Sequence, residues 1–287
     1  MRVSQSVIPN PIQRSNLRLR VGSLFFSSKR VVQWYLSGTR YATERMDNHS
    51  GVIVFPHVIA THQSRTMREL RNVDMWLQSN KVRNLQLAIA RLNGLVLHPG
   101  ETLSVWRLVG RPSKRKGYLP GMVLINGEMR VGHGGGLCQL SNLIYWMTLH
   151  TELTVVERFR HQYDVFPDSN RTLPFGSGAT IAYNYIDLQI RNDTNDKHYL
   201  CLKLTPTHLV GEWRSISPAQ YSYEITEKNH CITQHVSGKY LRHNQIWRKK
   251  FNADGTCVND ECITENHAIM MYSPLLPSSS DVDTEHY

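Results

Sequence analysis

The sequence predicts an α+β fold: a central mixed or antiparallel sheet carrying a cysteine-bearing helix, with a small β-rich carboxyl-terminal appendage. Three observations predict it. Helical three-four spacing is concentrated in two stretches, one from Met67 to Leu92 and one from about Leu137 to His150. Segments rich in β-branched and aromatic residues follow the second stretch, as in TVVERFRHQYDVF and ATIAYNYIDLQIRN, and read as strands. Past Ser215 the texture changes to short strand-like runs separated by polar turns.

Taken in order, residues 1–66 form an amino-terminal extension with loose patterning. Turns are expected at Asn10-Pro11, at Ser27 to Arg30 and at Asn48 to Gly51. Residues 67–210 form the core. Its first helix carries Leu70, Val73, Leu77, Val82, Leu85, Ile89 and Leu92 and stops at Asn93-Gly94, where glycine tolerates the left-handed turn. LVLHPGETLSVW reads as two short strands about a Pro99-Gly100 turn. Short strands with turns at Gly117, Gly121 and Asn126-Gly127 lead to a glycine run and the second helix. A strand near Tyr199 to Leu204 ends at Thr205-Pro206. Residues 211–275 are the appendage, with strands at Tyr221 to Ile225, Gly238 to Ile246 and Cys262 to Tyr272, and residues 276–287 are a tail.

A chain of 287 residues that is 40% hydrophobic can bury a sizeable core. Its net charge of +10 favours an anionic partner: nucleic acid, a membrane surface, or a phosphate- or carboxylate-bearing substrate. The basic residues are scattered except for Arg111, Lys114, Arg115 and Lys116, and no nucleic-acid-binding signature accompanies them, so nucleic acid is not expected. Five cysteines, an odd number without framework spacing, point to reduced thiols. No secretory leader or apolar run near the roughly 20 residues of a membrane span is evident, which makes a cytoplasmic protein the expectation.

HGGGLCQLSN, residues 133 to 142, raises the functional question. Either the three glycines let main chain pass closely, or they leave room for a substrate beside sulfur. Leu140, Leu143, Ile144 and Met147 form one apolar stripe. Cys138 lies on nearly the opposite side with Ser141, Asn142 and Tyr145. That phase favours a functional thiol over a buried structural one, although Leu149 shares the face. A helix start favours a thiolate, and the amides of Cys138 and Gln139 could face an oxyanion. His161 is the candidate base, on the strand VVERFRHQYDVF, and Asp187 on AYNYIDLQI the candidate orienting carboxylate. Simple structural roles for both stay open, as does an exposed Gln139. Glu157, Asp164 and Asp168 are neighbouring acids. His133 reads as a solvated loop histidine.

Elsewhere, Cys231, Cys257 and Cys262 with His230, His235, His243 and His267 lack the paired knuckle of a zinc site and read as unlinked thiols. Cys201 reads as core. No metal or cofactor is expected.

PGETLSVW, GRPSKRKGY and GHGGGLCQLSNLIYW, followed by ERFRHQYDVFPDSNRTLPFGSGATIAYNYIDLQIRN, resemble the VanW family, named for an accessory gene of vancomycin-resistance clusters. The likeness spans roughly residues 67 to 205. It is strongest at Gly134-Gly135-Gly136-Leu137-Cys138-Gln139 and at Glu157-Arg158 with His161. It implies a short form, without the membrane anchors and wall-binding repeats of longer relatives, and a link to glycopeptide resistance. The leading expectation is a cysteine-dependent acyl transferase or amidase acting on cell-wall peptides or precursors. Cys138 would be nucleophile, His161 base and Asp187 orienter, with Gly134, Gly135, Gly136, Gln139, Ser141 and Arg158 holding substrate. The second is a non-catalytic binding module for a peptidoglycan precursor or another resistance protein.

Overall fold

The computed structural model describes residues 15–67, 74–125, 128–165, 172–235 and 238–274. The Asn10-Pro11 turn, Leu70 and Val73, the Asn126-Gly127 turn, Asp168 and the tail lie outside the described residues. The chain is α+β, with mostly antiparallel sheets.

It begins with α1 (Asn16–Leu36), whose first turn is capped by the Ser15 hydroxyl accepting from the Arg18 amide at 3.3 Å. The turn expected at Ser27 to Arg30 is therefore helix interior: with no proline or paired glycine to break it, serine alone does not stop the helix. The turn expected at Asn48 to Gly51 opens α2 (Asn48–Val54), capped by Asp47. Then come β1 (His57–Arg65) and α3 (Met75–Leu92). Helix α3 ends as anticipated, with Asn93 at its C-cap and Gly94 at φ +83°. Next are β2 (Leu95–Leu97), β3 (Thr102–Ser104) and α4 (Val105–Val109). Strand β4 (Pro120–Ile125) pairs with β5 (Glu128–His133) ahead of α5 (Cys138–Leu149).

The stretch expected to be one strand from Thr154 to Phe166 is broken into β6 (Thr154–Glu157) and β7 (Tyr163–Asp164). ATIAYNYIDLQIRN supplies only β8 (Gln189–Arg191); its first half is turns and isolated bridges, fastened by side chains described below. Strands β9 (His198–Leu204) and β10 (His208–Ser215) follow. The last three are β11 (Ser222–Gln234), far longer than expected, and β12 (Tyr240–Phe251) and β13 (Cys257–Met270), each somewhat longer and shifted along the chain. Polar residues that read as turns there are solvent-facing positions of continuous strands.

The central sheet has the order β1-β10-β9-β2, all antiparallel. Strand β1 pairs with β10 from His57↔Ser215 to Arg65↔His208, so the segment before residue 66 shares a ladder with β10, which itself runs across the boundary expected at 210. A second sheet, β11-β12-β13-β7, includes the parallel pair β13·β7, and a third is β3-β8-β6.

Helix α5 lies on the central sheet. Leu140, Leu143, Ile144 and Met147 are buried as the stripe requires, and a Cβ on Gly211 of β10 would sit 2.6 Å from Leu143 Cδ2. Only glycine lets the helix come this close. Each such aliphatic side chain contributes about 1.5–3 kcal/mol on burial. The fully buried Trp213 donates its indole N–H to Thr148 Oγ1 at 3.1 Å, locking the helix end. The opposite face is mostly covered: Ser141, Tyr145 and Leu149 are buried as well, while Cys138 is half-buried and Asn142 exposed. A helix apolar on both sides is an interior helix.

Candidate functional site

The glycine run connects β5 to α5, and its geometry answers the question it posed. A Cβ on Gly135 would lie 2.1 Å from the carbonyl carbon of Gly121, one on Gly136 2.2 Å from Lys81 Cγ, and one on Gly134 2.5 Å from Pro112 Cβ. Gly134 and Gly136 also adopt φ of +78° and +92°. The glycines admit neighbouring chain, and the space beside them is filled. Pro112 brings the basic loop against this turn, while Arg111 and Lys114 to Lys116 stay exposed.

Cys138 starts α5 and is half-buried, packed against the main core. Its Sγ lies 3.7 Å from the Ile181 carbonyl. Burial pushes the thiol pKa up, outweighing the hydrogen bonds that act the other way. Ser141 donates to the Ala179 carbonyl at 2.6 Å, and the Ala179 amide donates to Asn142 Oδ1 at 2.7 Å. Arg158 donates to the carbonyls of Gly178 and Gly176 and to Thr264 Oγ1, with its guanidinium 4.9 Å from the Tyr145 ring centre. Cys138, Ser141 and Arg158 therefore do converge, on the main chain of residues 176–181, which they pin between α5 and β13. Gln139 points elsewhere, donating to Ser64 Oγ at 2.9 Å and the Arg65 carbonyl at 2.8 Å.

His161 and Asp187 do not join this group. His161 lies between β6 and β7, not on a strand, and no hydrogen bond links its ring to Cys138 or Asp187 among the described residues. Its pKa is lowered by burial and then by Arg160, so the ring is neutral. Asp187 precedes β8 and is fully buried. It accepts from Ser104 Oγ at 2.5 Å and from the amides of Trp106 and Leu188 at 3.0 and 2.9 Å, which ties the start of α4 to β8. Burial raises its pKa to about 7. Glu157, expected only as a neighbouring acid, anchors Arg30 of α1 at 2.7 and 2.5 Å and accepts from the Asp187 amide.

The described cysteines are all free, and no group of three or more His, Cys, Asp or Glu side chains is arranged to hold a metal ion among the described residues. His243 and His267, opposite each other on β12 and β13, share an Nδ1···Nδ1 contact of 2.7 Å. Cys201 is half-buried against the Phe55–Tyr199 stack.

An open cleft of about 550 Å³ lies at the other end of α5, which the sequence reading missed. It is bounded by Val58 to Thr61 of β1, by Trp146 and His150, and by residues 219 to 223. Trp146 meets the rings of His150 and His62 at 5.2 and 6.1 Å. Burial lowers the pKa of both histidines, leaving neutral imidazoles that can donate and accept. Lys250 sits 3.5 Å from the Tyr221 ring centre and 3.3 Å from Glu152 Oε1. Trp146 is eight residues from Cys138, about 12 Å along the helix axis. No local pattern marks a cleft assembled from segments so far apart in sequence.

Residues 80–214 match the family model described as VanW like protein, and they hold the glycine turn, Cys138, Glu157-Arg158 and the pinned 176–181 segment. Over this stretch the chain is similar to the VanW family. It is 39% identical over 167 residues to the Vancomycin B-type resistance protein VanW of Enterococcus faecalis, an alignment covering 58% of this chain and 61% of that protein. It is 31% identical over 119 residues to the uncharacterized protein YoaR of Bacillus subtilis, covering 41% and 38%. The chain thus spans about three fifths and two fifths of the lengths of these relatives. No solved structure matches. The matched stretch ends with β10, leaving α1, α2, β1 and the β11–β13 sheet beyond the matched residues.

Proposed function

We propose that this chain is an accessory protein of glycopeptide resistance whose VanW-like domain works by binding a cell-wall precursor. The identity to the enterococcal resistance protein supplies the biological context. One observation favours binding over thiol chemistry: the cleft with convergent aromatic and hydrogen-bonding groups lies away from Cys138, whose pKa burial raises. A half-exposed indole suits the apolar face of a sugar or peptide, and the neutral His150 imidazole suits a hydroxyl or amide group. The ligand in this reading is a muramyl-peptide precursor ending in D-Ala or D-lactate. Free cysteines fit a reducing cytoplasm, where such precursors are made.

The test compares Trp146→Ala with Cys138→Ser, each confirmed folded by circular dichroism. UDP-muramyl-pentapeptide binding is measured by calorimetry and vancomycin susceptibility in a resistant host. The reading expects about 10-fold weaker binding and lost resistance for Trp146→Ala, in line with a base- or ligand-stacking contact of about 1–3 kcal/mol, and near-normal behaviour for Cys138→Ser. Tyr221→Ala, a second change in the cleft lining, is expected to weaken binding as well. Resistance abolished by Cys138→Ser in a folded protein, with binding retained, would reinstate the cysteine-dependent transferase or amidase.

A further inference from the structure

Helix α1 presents a long apolar stripe to solvent. Leu17, Val21, Leu24, Phe25, Val32 and Tyr35 are all exposed, with Leu17 at 73%, Leu24 at 69% and Tyr35 at 71%. At about 100° per residue they share one side of the helix. Among the described residues of α1 the buried ones, Arg30 and Trp34, lie on nearly the opposite side. There Arg30 reaches Glu157 and the Tyr185 carbonyl, and the Trp34 carbonyl accepts from Arg107. The helix is therefore fixed to the body by one face and displays most of the other, where Tyr35 meets the body, its ring under the Arg107 guanidinium at 4.9 Å. A soluble monomer rarely leaves so continuous an apolar surface uncovered.

Charge identifies what covers it. Seven Lys or Arg precede Glu44, the first acidic residue, so this end of the chain holds most of the +10 excess. Within α1 itself Arg18, Arg20 and Lys29 stand without a single Asp or Glu on the helix, while Arg30 is paired with Glu157. Two copies pairing through this face would bring like charges together. Crossing a bilayer is not available either, since no described helix is long and apolar enough. A basic helix with Leu, Val, Phe and Tyr along one side is built to lie in a lipid headgroup region. We propose that α1 seats the protein on an anionic membrane surface, with its axis, about 30 Å long, parallel to the bilayer and Arg30 and Trp34 facing away from it. This does not depend on the binding cleft or on Cys138.

The full chain is sedimented with phosphatidylcholine vesicles, with and without phosphatidylglycerol, over a range of salt. The proposal expects at least about 10-fold tighter binding to the anionic vesicles, falling as salt rises, because each basic side chain near such a surface adds about 1 kcal/mol. The double variant Leu24→Glu, Phe25→Glu changes exposed positions only. It is expected to release the protein while its circular dichroism and thermal unfolding stay unchanged. Lys29→Glu is expected to weaken anionic binding selectively. Equal partition onto both vesicle types would overturn the proposal, as would full retention of the double variant. If the double variant instead converts a dimer to a monomer in light scattering and vesicles capture neither, the stripe joins two copies and the proposal fails.

Discussion

The Asp187 carboxyl is fully buried and receives three hydrogen bonds, yet its pKa rises to about 7 because desolvation outweighs them. The folded state therefore holds this proton more tightly than the unfolded chain does. Its stabilisation is complete below about pH 4 and is lost as pH rises through 7, a span worth on the order of 4 kcal/mol. Asp187→Asn cannot ionise, so the fall in urea-unfolding free energy between pH 4 and 7 is expected to flatten. An unchanged slope would place that titration elsewhere. Gly135 sets a steric limit instead: Gly135→Ala forces a methyl into the Gly121 backbone and is expected to cost at least about 2 kcal/mol. Thermal unfolding checks this, and a shift within error would mean that the turn yields. The sequence located Cys138 at a helix start and the glycines before it. It did not show that the thiol is partly covered, because the segment that covers it, near Ile181, lies more than 40 residues downstream.

At the scale of elements, Arg158 holds the segment 176–181 by carbonyl contacts that no regular strand provides. ATIAYNYIDLQIRN has the composition of a strand, but these side-chain contacts to α5 and β13 organise its first half as turns. Composition alone could not reveal that. Arg158→Ala is expected to destabilise by about 2–3 kcal/mol, the range for losing charged hydrogen bonds to buried carbonyls. Amide exchange should rise first at Ala179 and Thr180, whose N–H groups bond Asn142 and Phe159. Uniform acceleration across α5 and β10 would show that Arg158 supports the whole domain instead. Helices α3 and α5 were readable because a buried face imposes a 3.6-residue period. Helix α1 was not, because many of its apolar residues face solvent while, among the described residues, Arg30 and Trp34 are the buried ones.

Over the whole molecule, β1 closes onto β10 across some 150 residues, joining the amino-terminal segment to the VanW-like domain. Register across such a distance leaves no trace in local pattern, so the α+β class was readable while the boundaries were not. The likeness to the family was readable because its residues carry backbone constraints: glycines that admit neighbouring chain, and an arginine that binds carbonyls. The same constraints pack HGGGLCQLSN as a tight turn leading into α5, and in the proposed reading recognition falls to the cleft around Trp146. The most direct measurement is peptide-resolved iodoacetamide labelling across pH. Cys138 is expected to react more slowly than the exposed Cys231, Cys257 and Cys262, with a midpoint above the ordinary thiol value of about 8.5. Fast labelling of Cys138 with a midpoint well below that value would contradict the account and make its sulfur a nucleophile.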